Sequence, residues 1–175
     1  MEFDPNTTGT LVVLLTKLGV TFSETFLKKV WNPEKNPHTE SNPTDNNRKA
    51  AWDLYVEMET RITTQPLDPE HGDEKTALDS VYSLFQTTRE ILLAQGPDCV
   101  VFAKIAIEIL NQKVRPFTAK WHRKSLAGAF DDPTACAEFR DELESLQVVL
   151  RAYTQTLAVL AGIEDIASLS DTEQE

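Results

Sequence analysis

An all-α helical bundle is the fold this sequence predicts: four main helices, the third kinked at Pro116, preceded by short N-terminal helices. Apolar residues recur three or four positions apart over long stretches, which is the period of a helix packed on one side. Helix punctuation falls at the ends of these stretches, at Asp73, Gly96, Asp132-Pro133 and Gly162. No pair of segments reads as matched strands.

At 175 residues the chain is long enough to bury a core without metal or disulfide staples. One bundle domain is expected over 1–163, with an acidic tail at 164–175. LVVLLTKL, closed by Gly19, reads as a first short helix, and Phe22, Phe26, Leu27, Val30 and Trp31 as the face of a second. Residues 32–45, with three prolines and no large apolar side chain, read as a loop.

The first main helix is expected to start at Thr44 or Asp45 and run to Pro66, with Ala51, Leu54, Tyr55, Met58 and Ile62 on one face. After LDPEHGD, Asp73 and Glu74 favour the positive end of a second helix. It carries Leu78, Val81, Tyr82, Phe85, Thr88, Ile91 and Leu92 and stops at Gly96. Pro97 suits the first turn of a third, whose stripe of Cys99, Ala103, Ala106, Leu110, Val114, Phe117 and Trp121 crosses Pro116. A proline inside a helix loses one hydrogen bond and collides with the carbonyl four residues back, costing ~3 kcal/mol, so a kink or break is expected near Val114–Arg115. Asp132-Pro133 opens the last helix, where Phe139, Leu143, Leu146, Leu150, Tyr153, Leu157 and Leu160 form a heptad-like seam. That seam can pack within the bundle or against another subunit.

The net charge of −11 argues against a surface that coats nucleic acid or an anionic membrane. It is unevenly spread. In residues 97–128 six cations, Lys104, Lys113, Arg115, Lys120, Arg123 and Lys124, oppose only Asp98 and Glu108, a local charge of about +4. Cys99 and Cys136 read as small buried apolar residues of a reducing compartment. A cytoplasmic location follows, with no signal peptide and no membrane span.

Glycine-rich phosphate loops, His and Cys metal motifs and nucleophile elbows are missing, so no cofactor or metal is expected. The constellation with chemical content is Asn111, Arg115, Thr118 and His122, a polar stripe if the helix is continuous. In it His122 can exchange a proton and Arg115 can stabilise phosphoryl charge, the requirements of metal-independent RNA cleavage. Arg115, six residues and His122 resemble the Arg/His motif of HEPN ribonucleases, compact all-α proteins. The resemblance implies Arg115 and His122 as catalytic residues. A second possibility is nucleic-acid binding through Lys113, Arg115, Lys120, His122, Arg123 and Lys124. A third is structural: the cations neutralise acidic neighbouring helices while Trp121 and His122 pack.

AAWDLYVEMETRI, ALDSVYSLFQTTREIL and AIEILNQKVRPFTAKWH, within 45–126, resemble a helical module of bacterial phage-defence and signalling proteins. That implies an adaptor or assembly subunit. The expected function is accordingly non-enzymatic interaction with a protein partner or with further copies of the chain. The basic segment and the heptad-like helix are the expected contact surfaces.

Overall fold

The structure is a computed structural model that describes residues 43–163 together with residues 13, 14, 16 and 18. The expected second short helix, most of the loop 32–45 and the acidic tail lie outside the described residues. Of the expected first helix, Val13, Leu14 and Thr16 are helical, the Leu18 N–H reaches the Leu14 carbonyl at 3.1 Å, and Leu18 is buried in the core.

Among residues 43–163, five helices make four rods: α1 Pro43–Glu59, α2 Glu74–Gln95, α3 Val100–Ile109, α4 Arg115–Leu126 and α5 Pro133–Ala161. A π turn, Leu110–Val114, joins α3 to α4 without interruption, so these two form one rod. α1 packs on α5, α2 and α3, while α4 packs between α2 and α5.

α1 ends at Glu59, short of Pro66, because hydroxyls capture its last carbonyls. Thr60 donates to Val56 at 2.8 Å and Thr64 to Met58 at 2.8 Å. Such local bonds compete with the helical ladder. α2 starts as expected, with the Asp73 carboxylate accepting the Thr76 N–H at 2.6 Å. The bonds from Thr76 hold the Asp73 carboxyl below its ordinary pKa. Gly96, at φ 72°, takes a conformation that a side chain would strain.

Pro97 lies in a 3₁₀ turn, Gly96–Asp98, and not in α3 itself. No local side chain caps α3; instead Asn47 of α1 accepts the N–H groups of Val101 and Phe102, both at 3.0 Å. Asn46 donates to the Gln95 carbonyl at 3.2 Å, so α1 fastens the whole α2–α3 corner.

Of the kink or break expected near Val114–Arg115, the structure has no break but an irregular turn that ends at Val114. Backbone angles stay helical at Ile109, Leu110, Val114 and Arg115, and the irregularity falls earlier, as the π turn in which Arg115 N–H bonds Leu110 O. One extra residue in the turn before Pro116 accommodates the proline without ending the rod.

All seven residues of the α5 seam are buried within the chain's own bundle. The heptad-like pattern is therefore internal packing and leaves no apolar seam to offer outside. α5 also holds the 60–73 connection by its carbonyls. Arg140 pairs with Glu74 at 2.6 Å and donates to Asp68 O and Gly72 O at 2.8 Å each, and Gln147 donates to Ile62 O at 2.8 Å and Gln65 O at 2.5 Å. Gly162 closes α5 at φ 72°, where a side chain would be strained and its Cβ would displace the Arg48 guanidinium.

The phenol of Tyr153 is buried in this core without a hydrogen-bond partner among the described residues, and burial holds it neutral by raising its pKa. An unmade buried hydrogen bond costs ~1–3 kcal/mol. Tyr153→Phe is therefore expected to leave stability unchanged or raise it by about 1 kcal/mol, read as the midpoint of urea denaturation. A loss of 2 kcal/mol or so would mean that the hydroxyl has a partner.

Candidate functional site

Helical geometry divides the basic block between two sides of α4. Lys120 and Lys124 point at α5, where Lys120 bonds Glu138 at 2.9 Å and also Glu142, and Lys124 bonds Glu138 at 2.7 Å. Both ammonium groups lie over the Trp121 ring, at 5.1 and 4.4 Å from its centroid, and the indole N–H donates to Glu142 at 2.9 Å. The bonds Lys120 donates to Glu142 and Glu138 raise its pKa, and those Glu138 accepts from Lys124 and Lys120 lower that of Glu138. These two lysines are engaged within the chain. Beneath them Trp121 stacks with Phe130 and meets Phe139 edge-on, centroids 6.0 and 5.1 Å away.

Lys113 is half-buried at the rim of an open hollow of about 360 Å³ between the π turn and α5, floored by Phe117, Leu146 and Val149. Arg123 stands exposed between the two sides. The six residues of the basic segment thus do not form one patch.

Arg115 and His122 turn toward α2. The Arg115 guanidinium lies over Phe85, 4.8 Å from the ring centroid, and donates to Asn111 Oδ1 at 2.9 and 3.0 Å. His122 meets Tyr82 in a T-shaped contact at 4.8 Å, its Nε2 buried and without a partner among the described residues. The two rings touch each other as well, at 5.8 Å, so a row runs Arg115, Phe85, Tyr82, His122. Thr118, expected on the same polar stripe, is buried instead and donates its hydroxyl to Val114 O at 3.1 Å.

Arg115, Ala119, His122 and Leu126 are spaced four, three and four residues apart and share about 60° of the α4 circumference. Tyr82, Gln86, Arg89 and Leu93 have the same spacing on α2. The ring contacts join the two strips into one seam. Tyr82 (54% exposed), Leu93 (76%) and Leu126 (91%) stand out along it, although the stripe pattern assigns Tyr82 to the core. The missed residues of the site are these three with Arg89, whose signal was the repeated four-three-four spacing in both helices, and Phe85, which lies off that strip on the apolar stripe. Among the described residues Arg89, Arg115 and Arg123 make no ion pair.

Cys99 is buried and its thiol donates to Gly96 O at 3.1 Å, whereas Cys136 is only half-buried; both are free, and burial raises both thiol pKa values. Among the described residues no three His, Cys, Asp or Glu side chains cluster so as to hold a metal, and no helix is long and apolar enough to cross a membrane. Compared with family models, curated proteins and solved structures, the chain matches none.

Proposed function

We propose that this chain is a non-enzymatic helical interaction subunit that binds another protein through the seam between α2 and α4. The observation that supports the reading most is the exposure of Tyr82, Leu93 and Leu126 on one seam with Arg89 and Arg115. Aromatic and arginine side chains are enriched at protein interfaces, where lysine and glutamate are depleted. Lys120 and Lys124 are tied to glutamates on the other side of α4. The resemblance of residues 45–126 adds a context to the proposal: a partner from a bacterial phage-defence or signalling locus, met in the cytoplasm.

The test is mass in solution, alone and after co-expression with the products of neighbouring genes. A complex or an oligomer is expected, and Leu126→Asp is expected to abolish it with no change in thermal midpoint, since that side chain makes little contact within the chain. A strict monomer that binds none of its neighbours overturns the reading.

The ribonuclease alternative requires Arg115 and His122 to address one phosphate. Each instead lies on its own ring of α2, and His122 Nε2 is closed off. RNA cleavage lost in His122→Ala with the fold intact would restore it.

A further inference from the structure

We infer that the α2–α4 seam takes one amphipathic helix of the partner, carrying carboxylates between its apolar anchors. The inference rests on the interaction reading above and specifies its occupant. Three properties of the seam lead to it.

The first is shape. The antiparallel α2 and α4 carry four-three-four strips that meet at Tyr82 and His122, and a third helix docks on such strips by residues at i, i+4, i+7 and i+11. From that contact Leu126 lies four residues along in one direction and Leu93 eleven in the other, level with the π turn that precedes α4. At the helical rise this line spans roughly 22 Å, about four turns of a partner helix.

The second is the order of chemistry along it. Leucines occupy the two ends, and the cationic and aromatic groups, Arg89, Arg115, His122 and Tyr82, lie between them. An occupant must therefore bring apolar side chains to both ends and negative charge to the middle.

The third is charge in context. In a chain of net charge −11, these arginines make no ion pair among the described residues. Arg115 is held by an amide and a ring, which orient its guanidinium without neutralising it. A polyphosphate strand would gain too few cations here to offset the acidity of the remaining surface, and it has nothing to place on Leu93 and Leu126. A second copy docked two-fold on the same seam would bring like charges together. A helix with two or three carboxylates meets each requirement.

The probe is a synthetic helical peptide of about 16 residues with leucines at i, i+4, i+7 and i+11 and glutamates between them. Two controls accompany it, one with lysine for every glutamate and one with the acidic composition shuffled. Binding to the full chain is followed by peptide fluorescence anisotropy at low and at physiological salt. The acidic peptide is expected to bind at least tenfold tighter than either control, to weaken about tenfold in Leu126→Ala and in Arg115→Ala, and to be retained in Arg115→Lys. Both positions are exposed, so unchanged melting curves certify the three variants.

Equal binding of the lysine peptide, still sensitive to Leu126→Ala, would overturn the acidic occupant while leaving the interaction reading intact. Failure of every peptide, with a neighbour-encoded protein still captured through Leu126, would show an occupant that is not a helix. Failure of every peptide with no complex of any kind would remove both readings. Self-association blocked by Leu126→Asp would make the occupant a second copy.

Discussion

Trp121→Ala is expected to cost ~3–5 kcal/mol of stability, the range for deleting a large aromatic from a packed core. The indole is wholly buried, and Phe130 and Phe139 close on it from two directions. Its N–H also bonds Glu142, which holds Lys120 in turn, so the truncation leaves a cavity and loosens an ion cluster together. Trp121→Phe separates the two effects, because it keeps most of the volume and loses only the bond to Glu142, for ~1–2 kcal/mol. Urea denaturation of both variants checks this. A cost below 1 kcal/mol for alanine would show that α4 and α5 are held together by something other than this aromatic cluster.

Asn47→Ala should rank next, at ~2–3 kcal/mol, the sum of a lost cap and two N–H groups, one buried and one part-buried, left without an acceptor. Asn47 lies in α1, yet its carbonyl oxygen satisfies Val101 and Phe102 at the start of α3. The loss should be visible locally as well as globally. Amide hydrogen exchange at residues 101 and 102 is expected to speed up by more than the global change in stability explains, while α5 follows the global change alone. Asn47→Asp keeps the acceptor and should retain most of the stability; if it costs as much as alanine, the bonds to Val101 and Phe102 are not what Asn47 contributes.

The fold was legible because most of its signals are local. Asp73, Gly96, Asp132 and Gly162 each act within a turn or two of their own position, and the α5 seam repeats often enough to define a buried face unaided. Properties that depend on another element were not legible. The α1 boundary was set by Thr60 and Thr64 in competition with a proline that is the stronger sequence signal. The cap of α3 comes from a residue about fifty positions earlier, which no window along the chain connects to it. At the site, counting charge located the basic block but could not tell which side of α4 each cation would occupy. Lys120 and Lys124 face glutamates whose opposition depends on how α4 and α5 cross. Tyr82 and Phe85 are both apolar and three residues apart, and only the placement of α2 beside α4 decides that one stands in solvent while the other lies under a guanidinium.

The π turn before Pro116 behaves as a phase shifter. A helix that takes up one additional residue resumes about 100° away from the azimuth it would have reached, and everything downstream inherits that offset. With Leu110–Val114 wound in this way, the segment that follows presents Arg115 and His122 to α2 while Lys120 and Lys124 reach the glutamates of α5. Winding the same residues as a regular α-helix would turn α4 as a whole by about 100°, and both sets of contacts would be lost without any of their own residues being altered, whereas deleting one residue between Ile109 and Pro116 would let the turn close as ordinary helix with α4 at its present azimuth. What assigns each cation to its side is therefore how many residues that turn takes up, a property of backbone winding and not of side-chain identity.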